Sequence, residues 1–223
     1  MNITEDNEFD WYRFKETADS EKYDLIYVFK YKKMFPLEII LKAELDLVDI
    51  QLTMSRSYNK ADYLNIPYDF RTDLNEKEKN ECYTIAEETS IVSRFYKEKN
   101  IGVEKTKVLY RKWIDNALNK SFADGLLIIK NENNQITGIH IIKTELKTGK
   151  CSLIGVSSSG KGKGVGTKLW QQAFSYWANN SNIEKCIVPF SLYNSESFNF
   201  HLRMGFNKVE ETKYIYHYRN NKN

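Results

Sequence analysis

Four glycines alternate with two lysines and a valine in Gly160-Lys-Gly-Lys-Gly-Val-Gly166. The turn lies between an apolar run, Cys151–Val156, and an amphipathic stretch, Thr167–Ala178. Glycine lets the backbone take positive φ and approach a ligand closely. Where a strand turns into a helix, the first helical N–H groups are unpaired and sit at the positive end of the helix dipole. Such a place takes a phosphate or a pyrophosphate, and Lys161 and Lys163 add positive charge. The plain alternative is a flexible loop with solvated lysines.

Two other phosphate-binding patterns fit less well. A dinucleotide fingerprint needs G-x-G-x-x-G. Counted from Gly160 or Gly162, its last glycine falls on Val165 or Thr167. A nucleoside-triphosphate loop needs G-x-x-x-x-G-K-[ST]. Gly155-Val-Ser-Ser-Ser-Gly-Lys161 matches it up to the lysine, but Gly162 stands where a hydroxyl must hold Mg²⁺. This near-miss is kept as an alternative.

Few other residues suggest chemistry. His140 and His217 fall in strand-like runs and read as structural. His201 falls in the helical run Ser195–Met204. Cys82, Cys151 and Cys186 are widely dispersed. They read as buried thiols in a reducing compartment, and no Cys/His spacing suggests zinc.

The elements that must hold the turn can be read from apolar period and punctuation. Asp24–Tyr31 and Val48–Met54 read as strands flanking a short helix after Pro36, a small N-terminal β-α-β region. Tyr68–Arg71 is a strand and Asn75–Glu88 a helix. Ser93–Tyr96 opens a loop containing Gly102. Thr106–Asn119 is a helix with Val108, Leu109, Trp113, Ile114, Ala117 and Leu118 on one face. Strands Leu126–Asn131 and Ile136–Thr144 flank a polar hairpin turn, and Cys151–Val156 follows. Thr167–Ala178 is a helix. Ile183–Phe190 has no charge after Lys185 and reads as a central strand buried on both faces. Helix Ser195–Met204 stops at Gly205, and Lys213–Tyr218 is the last strand. From Tyr68 the order is β-α-α-β-β-β-α-β-α-β. Residues 1–62 are expected to form a small α/β region and residues 63–223 the main domain.

Lys and Arg exceed Asp and Glu by three, with the signs interspersed. This argues against a nucleic-acid partner, which calls for a basic face. The first twenty residues contain no apolar run, and no apolar stretch reaches the ~18 residues of a membrane span. A cytoplasmic protein with no signal peptide is expected.

Leu153-Ile-Gly-Val156, then Lys161 to Gly166, then an amphipathic helix, resembles the acyl-CoA motif [QR]-x-x-G-x-[GA] of the GNAT acyltransferase superfamily. Lys161 stands where Gln or Arg is usual. Asn194-Ser-Glu-Ser-Phe-Asn-Phe-His-Leu-Arg-Met-Gly-Phe206 resembles that family's N-x-x-A-x-x-x-Y-x-K-x-G-F. The resemblance covers most of residues 65–219. It implies an α+β fold with a mixed central sheet and helices on both faces. A looser resemblance, to bacterial TDP-fucosamine acetyltransferases, rests on Ser93-Arg-Phe95, Trp113-Ile-Asp-Asn-Ala117, Phe122, Glu145-Leu146 and the small N-terminal region.

The resemblance implies direct attack of an amine on the thioester of acetyl-CoA, with no enzyme nucleophile and no metal. Backbone groups of Ile154 and Val156 would pair with the pantetheine arm. Amides of Gly162, Gly164, Val165, Gly166 and Thr167 would hold the pyrophosphate beside Lys161. Asn194 would touch the coenzyme, or serve only as a helix cap. His201 stands at the position of the family's acidic Tyr and would protonate the leaving thiolate, or act only as a spacer. Arg94 and Tyr96 would meet an acceptor such as a nucleotide-linked amino-deoxy sugar. Glu145 would take the amine's proton through water, or is a solvated surface carboxylate. Other amines (a peptide, polyamine or antibiotic) and a non-catalytic acyl-CoA-binding module remain alternatives. The sequence leaves the oligomeric state open, a homodimer included.

Overall fold

A computed structural model of the protein describes residues 2–3 and 10–220. The elements are β1 (Asn2–Ile3), α1 (Trp11–Ser20), β2 (Leu25–Tyr31), α2 (Leu37–Lys42), β3 (Leu45–Ser57), β4 (Phe70–Arg71), α3 (Glu76–Ser90) and α4 (Arg94–Lys97). There follow α5 (Gly102–Leu118), β5 (Gly125–Lys130), β6 (Ile136–Glu145), β7 (Thr148–Val156), α6 (Val165–Asn180), β8 (Lys185–Ser191), α7 (Ser195–Arg203) and β9 (Lys208–Arg219). From β4 onward this is the order expected from the sequence, with one short helix, α4, added in the segment read as a loop. Ser93 caps that helix by accepting from the Tyr96 N–H at 3.2 Å.

The chain divides into two compact units. One takes in the described residues within 1–53, 190–199 and 209–223. Its strands run in the order β1-β2-β9-β3, with β2 antiparallel to β9 from Leu25↔Arg219 to Tyr31↔Lys213. The N-terminal stretch therefore shares a ladder with the C-terminal strand. Its core joins Ala18, Val28, Phe35, Ala43, Leu45, Tyr216 and Tyr218. Helix α1 closes that core, capped by Asp10. Trp11 meets Phe35 edge-on at 5.5 Å and Phe14 meets Tyr218 at 5.2 Å. The sequence reading missed this helix, because only Trp11, Phe14 and Ala18 carry its apolar face.

The other unit holds Met54–Pro189 and Phe200–Lys208. Its strands run in the order β8-β7-β6-β5-β4, parallel between β7 and β8 and antiparallel elsewhere. Helices α3 and α5 cover one face, where Ile85, Ile114, Ile139, Ile141 and Leu153 form a continuous core. Helix α3 begins with a capping box between Asn75 and Glu78. Helix α6 covers the other face, with Leu169, Trp170, Ala173, Phe174 and Trp177 buried.

Two departures from the expected strands shape the site. Consecutive residues Ile141 and Ile142 of β6 pair with Leu153 and Cys151 of β7, which leaves Ser152 as an extra residue. Such a bulge swaps the faces of the strand beyond it. A Cβ on Gly149 would strike the Trp177 ring of α6 at 2.7 Å, whereas one on Gly155 would strike Thr89 and Ile85 of α3. Both residues have odd numbers, yet they face opposite layers. Strand β8 also alternates, with Cys186, Val188 and Phe190 buried and Pro189 exposed. It is not buried on both faces as its composition suggested. The ladder between β7 and β8 pairs Thr148–Lys150 with Lys185–Ile187. Two residues later Pro189 offers no N–H to either neighbour.

Candidate functional site

Past Ser152 the strand β7 carries Ile154 and Val156, both half-buried and paired on one side with His140 and Gly138 of β6. A 3-10 turn, Ser158–Gly160, and the glycines then lead into α6. The four glycines do different work. A Cβ on Gly160 would come within 3.0 Å of the Thr137 carbonyl, so the turn packs closely on β6. Gly162 and Gly164 both have φ of +73°, and no atom lies within 4 Å of where a Cβ would stand. Their left-handed conformations favour glycine and turn the backbone toward open space. Gly166 lies under the Phe200 ring of α7, which a Cβ would meet at 3.0 Å.

The hydrogen bonds of this segment separate its amides into two groups. The Ser157 N–H donates to the Thr137 carbonyl at 2.9 Å, and those of Gly160 and Lys161 donate back to the Ser157 carbonyl. The Lys163 N–H donates to the Gly160 carbonyl. The Ser158 N–H donates to Glu88 of α3. The N–H groups of Gly162, Gly164, Val165, Gly166 and Thr167 have no partner among the described residues. These are the five amides expected to hold a pyrophosphate, and they lie at the start of a sixteen-residue helix. Lys161 and Lys163 beside them are exposed. Unpartnered donors at a helix start are the kind of group an anion takes. The triphosphate-loop alternative does not match, since its first glycine, Gly155, is a strand residue paired with Ile139.

His201 lies behind this turn, 1 % exposed. Its ring stands at 89° to the Trp170 indole with centroids 5.8 Å apart, and packs edge-on against Phe200 and Phe206. Trp170 also contacts His140, at 4.7 Å. The His140 Nδ1 lies 3.5 Å from the Leu169 carbonyl. Burial, opposed by that carbonyl and reinforced by His201, pulls the His140 imidazole down to about 3. Arg56 braces the end of α7. It donates to the Met204 carbonyl at 2.5 Å, and its guanidinium lies 4.7 Å from the Phe174 ring centre. No local motif marked Arg56 or the contact of two histidines with one tryptophan.

The remaining expected residues are more scattered. Arg94 and Tyr96 are half-buried on α4, with the Arg94 guanidinium 4.4 Å over the Phe95 ring. Glu145 sits at the hairpin end of β6, opposite Thr148, and forms ion pairs with Lys150 and, at 3.6 Å, with Lys143. Val156 pairs with Gly138, seven residues back along β6. At ~3.3 Å per residue that is roughly 23 Å, so the structure does not bring Glu145 to the glycine turn. Asn194 belongs to the other unit, where its side chain accepts from the Ser197 N–H at 3.0 Å and caps α7.

Comparison with known proteins shows the family and the fold. The model of the acetyltransferase (GNAT) family matches residues 89–206, more than half of the chain. The chain belongs to this family. No curated protein matches it by sequence. Among solved structures, a GCN5-related N-acetyltransferase from Sphaerobacter thermophilus superposes with a TM-score of 0.61 at 12 % identity. That match covers 93 % of this chain and 66 % of the other. A functionally unknown conserved protein from Staphylococcus epidermidis gives 0.65 at 13 % identity, over 97 % and 84 % of the two chains. A GCN5-related N-acetyltransferase from Kribbella flavida gives 0.53 at 11 %, over 96 % and 77 %. At these identities the likeness is one of fold. The GNAT fold thus accounts for the mixed sheet with helices on both faces. Among the described residues, no helix is long and apolar enough to cross a membrane.

Proposed function

We propose that the protein transfers an acetyl group from acetyl-CoA to the amine of a small molecule by direct attack. One observation carries this reading: the unpartnered amides of Gly162 and Gly164–Thr167 gather at the start of α6, beside a strand whose ladder to β8 is short. Bound coenzyme supplies the activated thioester. The chain's own part is to hold it, orient the amine and deliver a proton. The five amides and Lys161 take the pyrophosphate. The backbone at Ile154 and Val156 pairs with the extended arm as an added strand does. His201, screened from water by Trp170, Phe200 and Phe206, gives its proton to the departing sulfur.

The acceptor we favour is a nucleotide-linked amino-deoxy sugar, as in TDP-fucosamine acetyltransferases. Arg94 would pair with its diphosphate, and Tyr96 would lie against base or sugar. A cytoplasmic setting suits the three free, buried cysteines. The test is mass-spectrometric detection of acetylated products from acetyl-CoA and a panel of nucleotide-linked amino sugars, free amino sugars, peptides and polyamines. The expected best acceptor carries a diphosphate. A best acceptor without phosphate removes the sugar-nucleotide reading but keeps the acetyltransferase. Coenzyme binding with no product from any amine points instead to a binding module.

A further inference from the structure

We infer that Glu88 is a positioning residue that fixes the coenzyme turn in its receptive shape, an inference that rests on the reading of that turn as the coenzyme site. One carboxylate oxygen of Glu88 accepts from both the Ser158 N–H, at 2.9 Å, and the Ser158 hydroxyl, at 3.0 Å. Glu88 lies in the last turn of α3, and Ser158 opens the 3-10 turn after β7. Among the described residues, the hydrogen bonds that tie Ser157–Lys163 to other elements are this pair and the Ser157–Thr137 bond. All its other bonds are internal: Ser157 accepts from Gly160 and Lys161, its hydroxyl meets that of Ser159 at 3.0 Å, and Gly160 accepts from Lys163.

The anchor itself is firm. Ile85 and Thr89, on either side of Glu88, pack on the space left by the missing Cβ of Gly155 in β7. The neighbouring Glu87 pairs with Arg111 of α5. What Glu88 holds is the opposite, a segment whose Gly162 and Gly164 stand in open space. Glycines lose the most freedom on ordering, so a turn left to itself meets that cost when ligand arrives. A turn already pinned at one end meets less of it, which is preorganisation. The arrangement also solves an electrostatic problem. A carboxylate near a pyrophosphate site competes for the same donors, but this one is satisfied by Ser158, which lies outside the five open amides.

The experiment compares wild type, Glu88→Ala and Glu88→Gln by calorimetric titration with CoA, with amide hydrogen exchange of Ser157–Gly160 in the same proteins without ligand. Glu88→Ala should raise the CoA Kd by roughly 10-fold, in the range of a lost hydrogen bond to a charged group. It should also speed exchange at Ser158 with the melting temperature held. Glu88→Gln keeps an acceptor oxygen and should stay within ~3-fold of wild type, since the donors on Ser158 remain paired. At saturating acetyl-CoA the kcat of Glu88→Ala should be unchanged, because uniform binding is what it lost. Unchanged or tighter CoA binding by Glu88→Ala, with exchange at Ser158 as slow as in wild type, overturns the inference. A wild-type protein that does not bind CoA fails the site assignment instead, and the exchange data still report whether Glu88 holds the turn.

Discussion

Helix α6 has two contrasting regions. The segment that leads into it and its first turn hold a set of unpartnered amides, two left-handed glycines and two exposed lysines. Its inner face, less than two turns on, buries Trp170 among His140, His201, Phe174 and Phe206. In the first region backbone donors are left without partners among the described residues. In the second, polar rings are packed away from water, where a charge is costly. The contrast teaches how one helix can start in unpartnered backbone donors and pack a dry aromatic face little more than a turn later. Unpartnered amides at a helix start are the kind of donor that an anion takes.

The largest effect that would break this contrast is catalytic. If His201 serves as the acid, His201→Ala should lower kcat by ~10²–10⁴-fold with CoA affinity held, since the loss falls on the transition state alone. His201→Tyr should recover part of the rate and move the alkaline limb of the pH profile upward, because a phenol keeps its proton to ~10. Steady-state kinetics with a parallel CoA titration decide it. A kcat within ~3-fold of wild type, well short of a general acid's contribution, makes His201 a packing residue like its neighbours.

The outward-facing region is broken from the other side. Gly164→Asp places a carboxylate and a Cβ at a backbone φ of +73° where the proposed site would take a phosphate. The CoA Kd should rise by at least ~10-fold, or about 1.4 kcal/mol, while kcat at saturation and the circular dichroism spectrum stay close to wild type. Undiminished affinity in the folded variant would remove the turn from the site.

The smallest effect concerns the buried imidazole. Burial holds His140 at about 3, whereas an unfolded histidine titrates near ~6.5. Between those values the unfolded chain binds a proton that the folded one does not. The stability from neutral His140 is therefore complete above ~6.5 and is lost as pH falls, by up to ~1.4 kcal/mol per pH unit. Urea midpoints of wild type and His140→Leu from neutral pH down to pH ~5 should show the steeper slope in wild type. Equal slopes would mean that water reaches the imidazole and that the inner face is less dry than its packing shows.

Much of this was legible in the residues. Four glycines at a strand-to-helix junction identified the turn, because left-handed backbone and open amides are local properties of glycine and of a helix start. The strands and most helices followed from apolar period and punctuation. Helix α1 was missed, since it is stabilised by Phe35 and Tyr218, far away in sequence. The β7 bulge was missed because an extra residue leaves no mark on composition; only its pairing with Ile141 and Ile142 reveals Ser152 as unmatched. Glu145 stood out as a carboxylate at a strand end, but its ion pairs with Lys143 and Lys150 are set by the strand pairing and could not be read from its position alone.

The sequence by itself determined which residues could make an anion-binding turn, and that the order of strands and helices was of one family. Those features depend on neighbours along the chain, whose chemistry and spacing are read directly. Only the tertiary structure decided which amides stay open, which face of β7 looks at α6, and that Glu88 holds Ser158 while His140 and His201 flank Trp170. Each of those depends on groups separated by tens of residues, brought together by a sheet register that one unpaired residue can reverse.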